Sequence, residues 1–170
     1  MKFEIKSRFS GAIIFSIETD NFKLAVEAAI KSGADLYGAD LSGANLSGAD
    51  LSRANLSDAK NADLVVAQTY ICPESGAFEG WKKCRGGVLV RLRIPAEAER
   101  SNSTGRKCRA DFVDVLEVIG AEKGISIYDQ SVTYVTGQRV TCDNWNKNRW
   151  EECGGGIHFF ITRKEAEAYE

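Results

Sequence analysis

Between Ala34 and Asp58 the chain cycles through small, polar, apolar and turn-forming positions with a period of five. The copies are Ala34-Asp35-Leu36-Tyr37-Gly38, Ala39-Asp40-Leu41-Ser42-Gly43, Ala44-Asn45-Leu46-Ser47-Gly48, Ala49-Asp50-Leu51-Ser52-Arg53 and Ala54-Asn55-Leu56-Ser57-Asp58. On an α-helix a step of five turns a side chain by roughly 140°, which scatters Leu36, Leu41, Leu46, Leu51 and Leu56 around the cylinder. On a flat strand the same step sends alternate leucines to opposite faces. A chain that turns a corner every five residues directs each Leu, and the Ala two positions before it, toward one axis. The period therefore predicts a solenoid coil.

Ahead of the repeat, Lys2–Ser7 and Ala12–Glu18 alternate as two strands, with Phe3, Ile5, Ile13, Phe15 and Ile17 inward and Ser10-Gly11 as the turn. Thr19 or Asp20 is placed to N-cap a helix running to about Lys31, with Phe22, Val26, Ala29 and Ile30 on one face and Gly33 at its end. An open coil end exposes backbone groups and a disc of Leu and Ala, so residues 1–33 read as a hairpin and helix that cap it.

The tandem A-(D/N)-L-x-x copies resemble the pentapeptide-repeat family, whose members form a right-handed, four-sided β-helix. That resemblance implies four pentapeptides per coil, hence about one and a quarter coils here, plus whatever Ala62-Asp63-Leu64 adds after a register slip at Ala59-Lys60-Asn61. Gly38, Gly43 and Gly48 suit corners, but Arg53 and Asp58 occupy the same position, so a positive φ is not expected to be compulsory there.

The period is lost after Ala67, and Cys72-Pro73-Glu74-Ser75-Gly76 reads as a loop. The expected organisation is a capping segment 1–33, a β-solenoid stub 34–67, a linker 68–80 and a C-terminal domain 81–170. In that last part Val88–Ile94 alternates as a strand stopped by Pro95, with a helical turn at Ala96–Arg100. Further strands are expected at Phe112–Ile119, Ile125–Tyr128, Thr133–Cys142 around a Gly137 turn, and Ile157–Thr162, followed by a helix Arg163–Tyr169. The fold class expected for the whole chain is α+β.

Gly105-Arg106-Lys107-Cys108-Arg109-Ala110, with Glu152-Cys153 and Gly156-Ile157-His158-Phe159-Phe160, resemble a domain that accompanies short pentapeptide tracts in phage and other viral proteins. The resemblance spans roughly residues 81–169 and implies a phage or prophage origin without implying a mechanism.

Composition narrows the function classes. The 170 residues are 44% hydrophobic, and 24 acids nearly balance 22 bases for a formal charge of −2, so no general nucleic-acid binding or membrane attraction is expected. No apolar run of membrane-spanning length and no signal-like N-terminus is present, which leads to an expected location in the cytoplasm, that of the host cell for a phage protein. Five cysteines without tight spacing, Cys72, Cys84, Cys108, Cys142 and Cys153, read as reduced thiols; no cofactor or metal is expected.

The leading chemical candidate is Ser101–Arg109, where Ser101, Ser103 and Thr104 hydroxyls, the Gly105 backbone and Arg106, Lys107 and Arg109 suit phosphate oxygens. Arg91 and Arg93, with Lys82, Lys83 and Arg85, extend the patch, and Lys82 to Arg109 holds nine bases against two acids. A solvated polar loop beside surface ion pairs is the plainer reading of the same residues. His158, the only histidine, lies in an apolar run and reads as a strand residue or, with Cys153, as a nucleophile or metal pair. Trp145 and Trp150, five apart in a polar loop beside Gly154-Gly155-Gly156, suit either stacking on a nucleobase or sealing the core.

The expected function is non-enzymatic binding and assembly, most concretely phage counter-defence by sequestering a phosphate-bearing, nucleotide-like signal. Two alternatives are an inhibitor of a host protein, by DNA mimicry or docking through the coil, and a small Cys/His-dependent enzyme. The short coil also leads to an expectation of homo-oligomers, because about twenty residues bury too little apolar surface alone.

Overall fold

The computed structural model describes residues 1–42, 44–46, 49, 51 and 54–169, with Ala62 and Gln68 described by backbone alone. The five repeat leucines are each 1% exposed or less and form one apolar cluster with Ala39, Ala44, Ala54 and Ala59. Each Leu carbonyl accepts from the Ala amide three residues on: Leu36 from Ala39 (3.0 Å), Leu41 from Ala44 (3.1 Å), Leu46 from Ala49 (2.9 Å), Leu51 from Ala54 (3.0 Å) and Leu56 from Ala59 (3.1 Å). At Leu36–Ala39 and Leu56–Ala59, twenty residues apart, these close β-turns. The Asp or Asn of the repeat seals the corner, because its Oδ1 accepts the amide two residues on at Asp35 (2.9 Å), Asp40 (3.0 Å) and Asn55 (3.1 Å).

Twenty residues later the chain returns beside itself. Asp40 and Lys60 form a parallel bridge, the Lys60 amide donates to the Ala39 carbonyl at 2.9 Å, and the Gly38 amide donates to the Ser57 carbonyl at 2.9 Å. The corner residue is left-handed at both described places, Gly38 (φ +62°) and Asp58 (φ +54°). The expectation that a positive φ is dispensable at this position is thereby corrected; Asp, with its short polar side chain, tolerates the conformation. Gly43, Gly48 and Arg53 lie outside the described residues. A Cβ at Gly38 would sit 2.3 Å from the exposed Phe9 ring, which would have to swing aside.

Strands β1 (Lys2–Ser7) and β2 (Ile13–Glu18) form the N-terminal hairpin, and β1 pairs on its other edge with β3 (Ala39–Asp40). A bulge after Ile5 pairs Lys6 with Ile13 and skips Ile14, so Ile14 and Phe15 pack on the cluster while Ile13 is exposed, contrary to the simple alternation. Helix α1 (Phe22–Lys31) is capped by Asn21, whose Oδ1 accepts the Leu24 amide at 3.0 Å, one residue later than expected. Ile5, Val26 and Ala29 join the repeat leucines in one cluster. After the last copy the chain forms helix α2 (Ala62–Thr69) instead of a further corner. Residues Met1–Tyr70, with Ser103–Gly105 and Trp150–Glu152, make up this first unit.

The second unit holds Ile71–Asn102, Arg106–Arg149 and Cys153–Glu170. Strands β4 (Phe78–Lys83), β5 (Leu89–Ile94), β8 (Phe112–Ile119) and β11 (Arg139–Thr141) form an antiparallel sheet in the order β11-β8-β5-β4. Strands β6 (Arg100–Asn102), β7 (Cys108–Ala110) and β12 (Ile157–Phe159) form a second sheet, ordered β12-β7-β6. A ribbon of β9 (Gly124–Ile125) and β10 (Thr133–Tyr134) and a capping-box helix α3 (Arg163–Ala168) complete it. The fold is α+β, with many strands and few helices. Strand β4 begins inside the segment expected to be a linker, and residues Ala96–Ala98 make a turn that leads into β6 where a helical turn was expected. Among the described residues no helix is long and apolar enough to cross a membrane.

Candidate functional site

The predicted anion loop is mostly a β-hairpin. Ser101 lies on β6 and Arg109 on β7, paired with each other, and Ser101, Ser103 and Arg109 are all buried. Thr104 and Ser103 fall in the first unit, where Thr104 Oγ1 donates to the Leu51 carbonyl and Ser103 Oγ to the Trp150 carbonyl at 3.5 Å. Arg106 is exposed and pairs with Glu165 at 2.6 Å. Ser101–Arg109 therefore does not gather into one solvent-facing cradle.

Arg91 and Arg93 line the outer face of β5. Arg91 reaches Glu117 at 3.4 Å and Glu79 at 3.8 Å, and Arg93 lies in register with Glu79 and Asp114, so both belong to a charged ladder on a solvated sheet face. Lys83 donates to the Glu167 and Tyr169 carbonyls at 3.0 and 2.7 Å, near the end of α3. Strand alternation sets apart Lys82, which points the other way.

Lys82 and Lys107 both line a cavity of about 690 Å³ in the second unit. Lys82 Nζ donates to the His158 carbonyl at 2.9 Å and sits 5.5 Å from the centre of the buried Tyr134 ring. Burial holds its ammonium below the ordinary lysine range, and the Lys107 charge pushes in the same direction. Lys107 Nζ lies 3.3 Å from the Cys153 Sγ. Among the described residues neither lysine has a carboxylate within ion-pair distance. Asp129 lines the same cavity but is engaged by Ser131, whose amide and hydroxyl reach its Oδ1 at 3.0 and 2.6 Å and hold the carboxyl below its usual range.

Arg109 is not itself in the lining but holds Gly155, which is. It is 1% exposed and its guanidinium donates to the carbonyls of Asn146, Gly155 (3.0 Å) and Asn148 (2.5 Å), which ties the loop after β11 to the glycine run. Trp145 covers it, with the ring 4.8 Å from the guanidinium carbon and its indole N–H donating to Glu99. A Cβ on Gly155 would meet the Asn144 carbonyl oxygen at 1.7 Å, so glycine is compulsory where the two segments touch. Trp150 packs against the leucine cluster of the first unit. His158, on β12 between buried Ile157 and Phe159, lines the cavity.

The thiols differ in setting. Burial pushes Cys84 up to about 11; the neighbouring Cys72 thiol and burial hold Cys108 far above the ordinary thiol range, and burial also raises Cys142. Cys153 alone is exposed. Among the described residues no group of three or more His, Cys, Asp or Glu could hold a metal ion.

Sequence reasoning named Lys107 and His158 but treated Lys82 as a patch extension and placed Tyr128 in a strand. Tyr128 lines the cavity from the loop between β9 and β10. The signal available for that loop was Asp129-Gln130-Ser131, a turn-forming run beside an apolar segment.

A model described as Family of unknown function (DUF5758) matches residues 68–166, and one described as Pentapeptide repeats (8 copies) matches residues 32–60. Neither match indicates a catalytic family. No curated protein and no solved structure matches the chain.

Proposed function

We propose that this chain, which belongs to the Family of unknown function (DUF5758), is a binding protein that sequesters a phosphate-bearing, nucleotide-like small molecule in the cavity of its second unit. One observation carries the reading: Lys82 and Lys107 line the same cavity, burial with the Lys107 charge beside it disfavours the Lys82 ammonium, and neither lysine has a carboxylate ion-pair partner among the described residues. An anion in the cavity offers both lysines a counter-charge, and charge-assisted hydrogen bonds from ammonium to phosphate oxygens are among the stronger ones proteins make. The resemblance of residues 81–169 to a viral domain supports counter-defence as the setting. The first unit, on this reading, is a right-handed four-sided β-helix stub that brings copies of the chain together. Its one-coil return from Asp40 to Lys60 and its exposed Phe9, Ile13, Tyr37 and Leu64 support that part.

Calorimetric titration with a broad panel of nucleotides tests the ligand class. Binding that Lys107→Ala weakens by about tenfold, the loss of one charged hydrogen bond, is expected; no binding by any panel member overturns the reading. Thiol chemistry is a second reading, favoured by Cys153 beside Lys107 in a cavity that His158 also lines. Unchanged biological effect in both Cys153→Ser and His158→Ala removes it.

A further inference from the structure

We infer that Tyr128 is the platform on which the planar base of the ligand stacks, an inference that rests on the binding reading above. The two indoles are otherwise engaged: Trp145 lies over Arg109 and donates to Glu99, and Trp150 packs on the leucines of the first unit. Of the two tyrosines that line the cavity, Tyr134 is buried with the Lys82 ammonium over its ring.

Tyr128 differs in being 75% exposed, with no partner ring covering it among the described residues. It is nevertheless held. Its hydroxyl meets the Tyr169 hydroxyl at 2.6 Å, and its loop is closed by the Ser126 amide on the Val132 carbonyl (3.0 Å) and the Val132 amide on the Asp129 carbonyl (3.1 Å). An oriented, water-facing ring costs little further ordering when a flat partner lands on it. The cavity, at about 690 Å³, has the size of an ordinary small-molecule site and offers this ring together with the two ammoniums. A ligand with one planar aromatic end and one phosphorylated end uses both; a sugar phosphate or free phosphate uses the lysines alone. The ligand class is a nucleoside phosphate.

Comparing nucleoside diphosphates with inorganic pyrophosphate isolates the nucleoside, because the two carry the same number of phosphates, and the Tyr128 variants then separate the share of the base from that of the ribose. The full chain is titrated with adenosine, guanosine, cytidine and uridine diphosphates and with pyrophosphate. At least one nucleotide is expected to bind about tenfold tighter than pyrophosphate, the usual size of one base-stacking contact. Tyr128→Ala is expected to erase that advantage while leaving pyrophosphate affinity within about twofold, and Tyr128→Phe, which keeps the ring, to retain most of it. A nucleotide preference that survives Tyr128→Ala, or equal wild-type affinity for all five ligands, overturns the platform and leaves the anion site standing. Absence of binding by all five overturns the anion site itself.

Discussion

The two units solve the problem of an interior in opposite ways. In the first, Leu and Ala fill the centre, and no charged side chain among its described residues is buried. Its polar groups work at the corners, where Asp and Asn satisfy backbone amides locally. In the second, Arg109 is enclosed, Tyr134 is buried, and Lys82 is desolvated enough to disfavour its own charge. An apolar interior asks only for burial. A polar one must satisfy each group, and groups left partly satisfied around a cavity mark where a ligand fits. The function proposed above rests on that contrast, with assembly placed in the first unit and recognition in the second.

The largest effect should come from breaking the apolar interior. Leu46→Lys buries an unpaired ammonium at several kcal/mol, about the whole stability of a domain, so hydrogen exchange should show protection lost across residues 36–60. Retained protection would mean that the leucines do not form the core described. Next, Arg109→Ala strips three carbonyls of a buried cationic donor and should cost about 3–5 kcal/mol in chemical denaturation, with Arg109→Lys failing to restore the fork. Arg106→Ala removes an exposed pair and should cost about 1 kcal/mol or less. Equal losses for the two arginines would erase the distinction between interior and surface charge.

The repeat was legible because its information is local: five residues carry the Leu, the Ala and the turn, and the corner chemistry follows within the same five. Even there the bulge after Ile5 and the helix α2 were not readable, since pairing to β1 and the end of the coil depend on distant partners. In the second unit, strand Phe112–Ile119 was visible from alternation, whereas Ser101–Arg109 looked like a loop of hydroxyls and cations and folds as a hairpin. Composition identified the cations but not their counter-charges. Glu165 takes Arg106 from 59 residues away, and Glu117 takes Arg91 across the sheet. Lys82 stands out only once Arg91 and Arg106 have been given their carboxylates, because its place in the cavity depends on elements far away in sequence.

Two smaller effects sharpen the contrast. Burial lowers the Lys82 pKa, so anion affinity should fall as pH rises through that lowered value, below the ordinary lysine range, because the deprotonated amine offers no charge. The Lys82→Arg protein should bind without that decline, and a pH-independent wild type would remove Lys82 from the site. Alkylation followed by peptide mass mapping should modify Cys153 first, with Cys84, Cys108 and Cys142 slowed by burial, and bound nucleotide should protect Cys153. Labelling spread evenly over the five thiols would contradict the closed interior of the second unit.

Native mass spectrometry of the full chain, incubated with the nucleotide panel and compared with Lys82→Gln/Lys107→Gln, tests the central claim most directly. The account predicts a phosphate-bearing adduct on the wild-type protein that leaves on denaturation and is missing from the double variant. An adduct retained equally by both proteins, or bare chains throughout the panel, would contradict it.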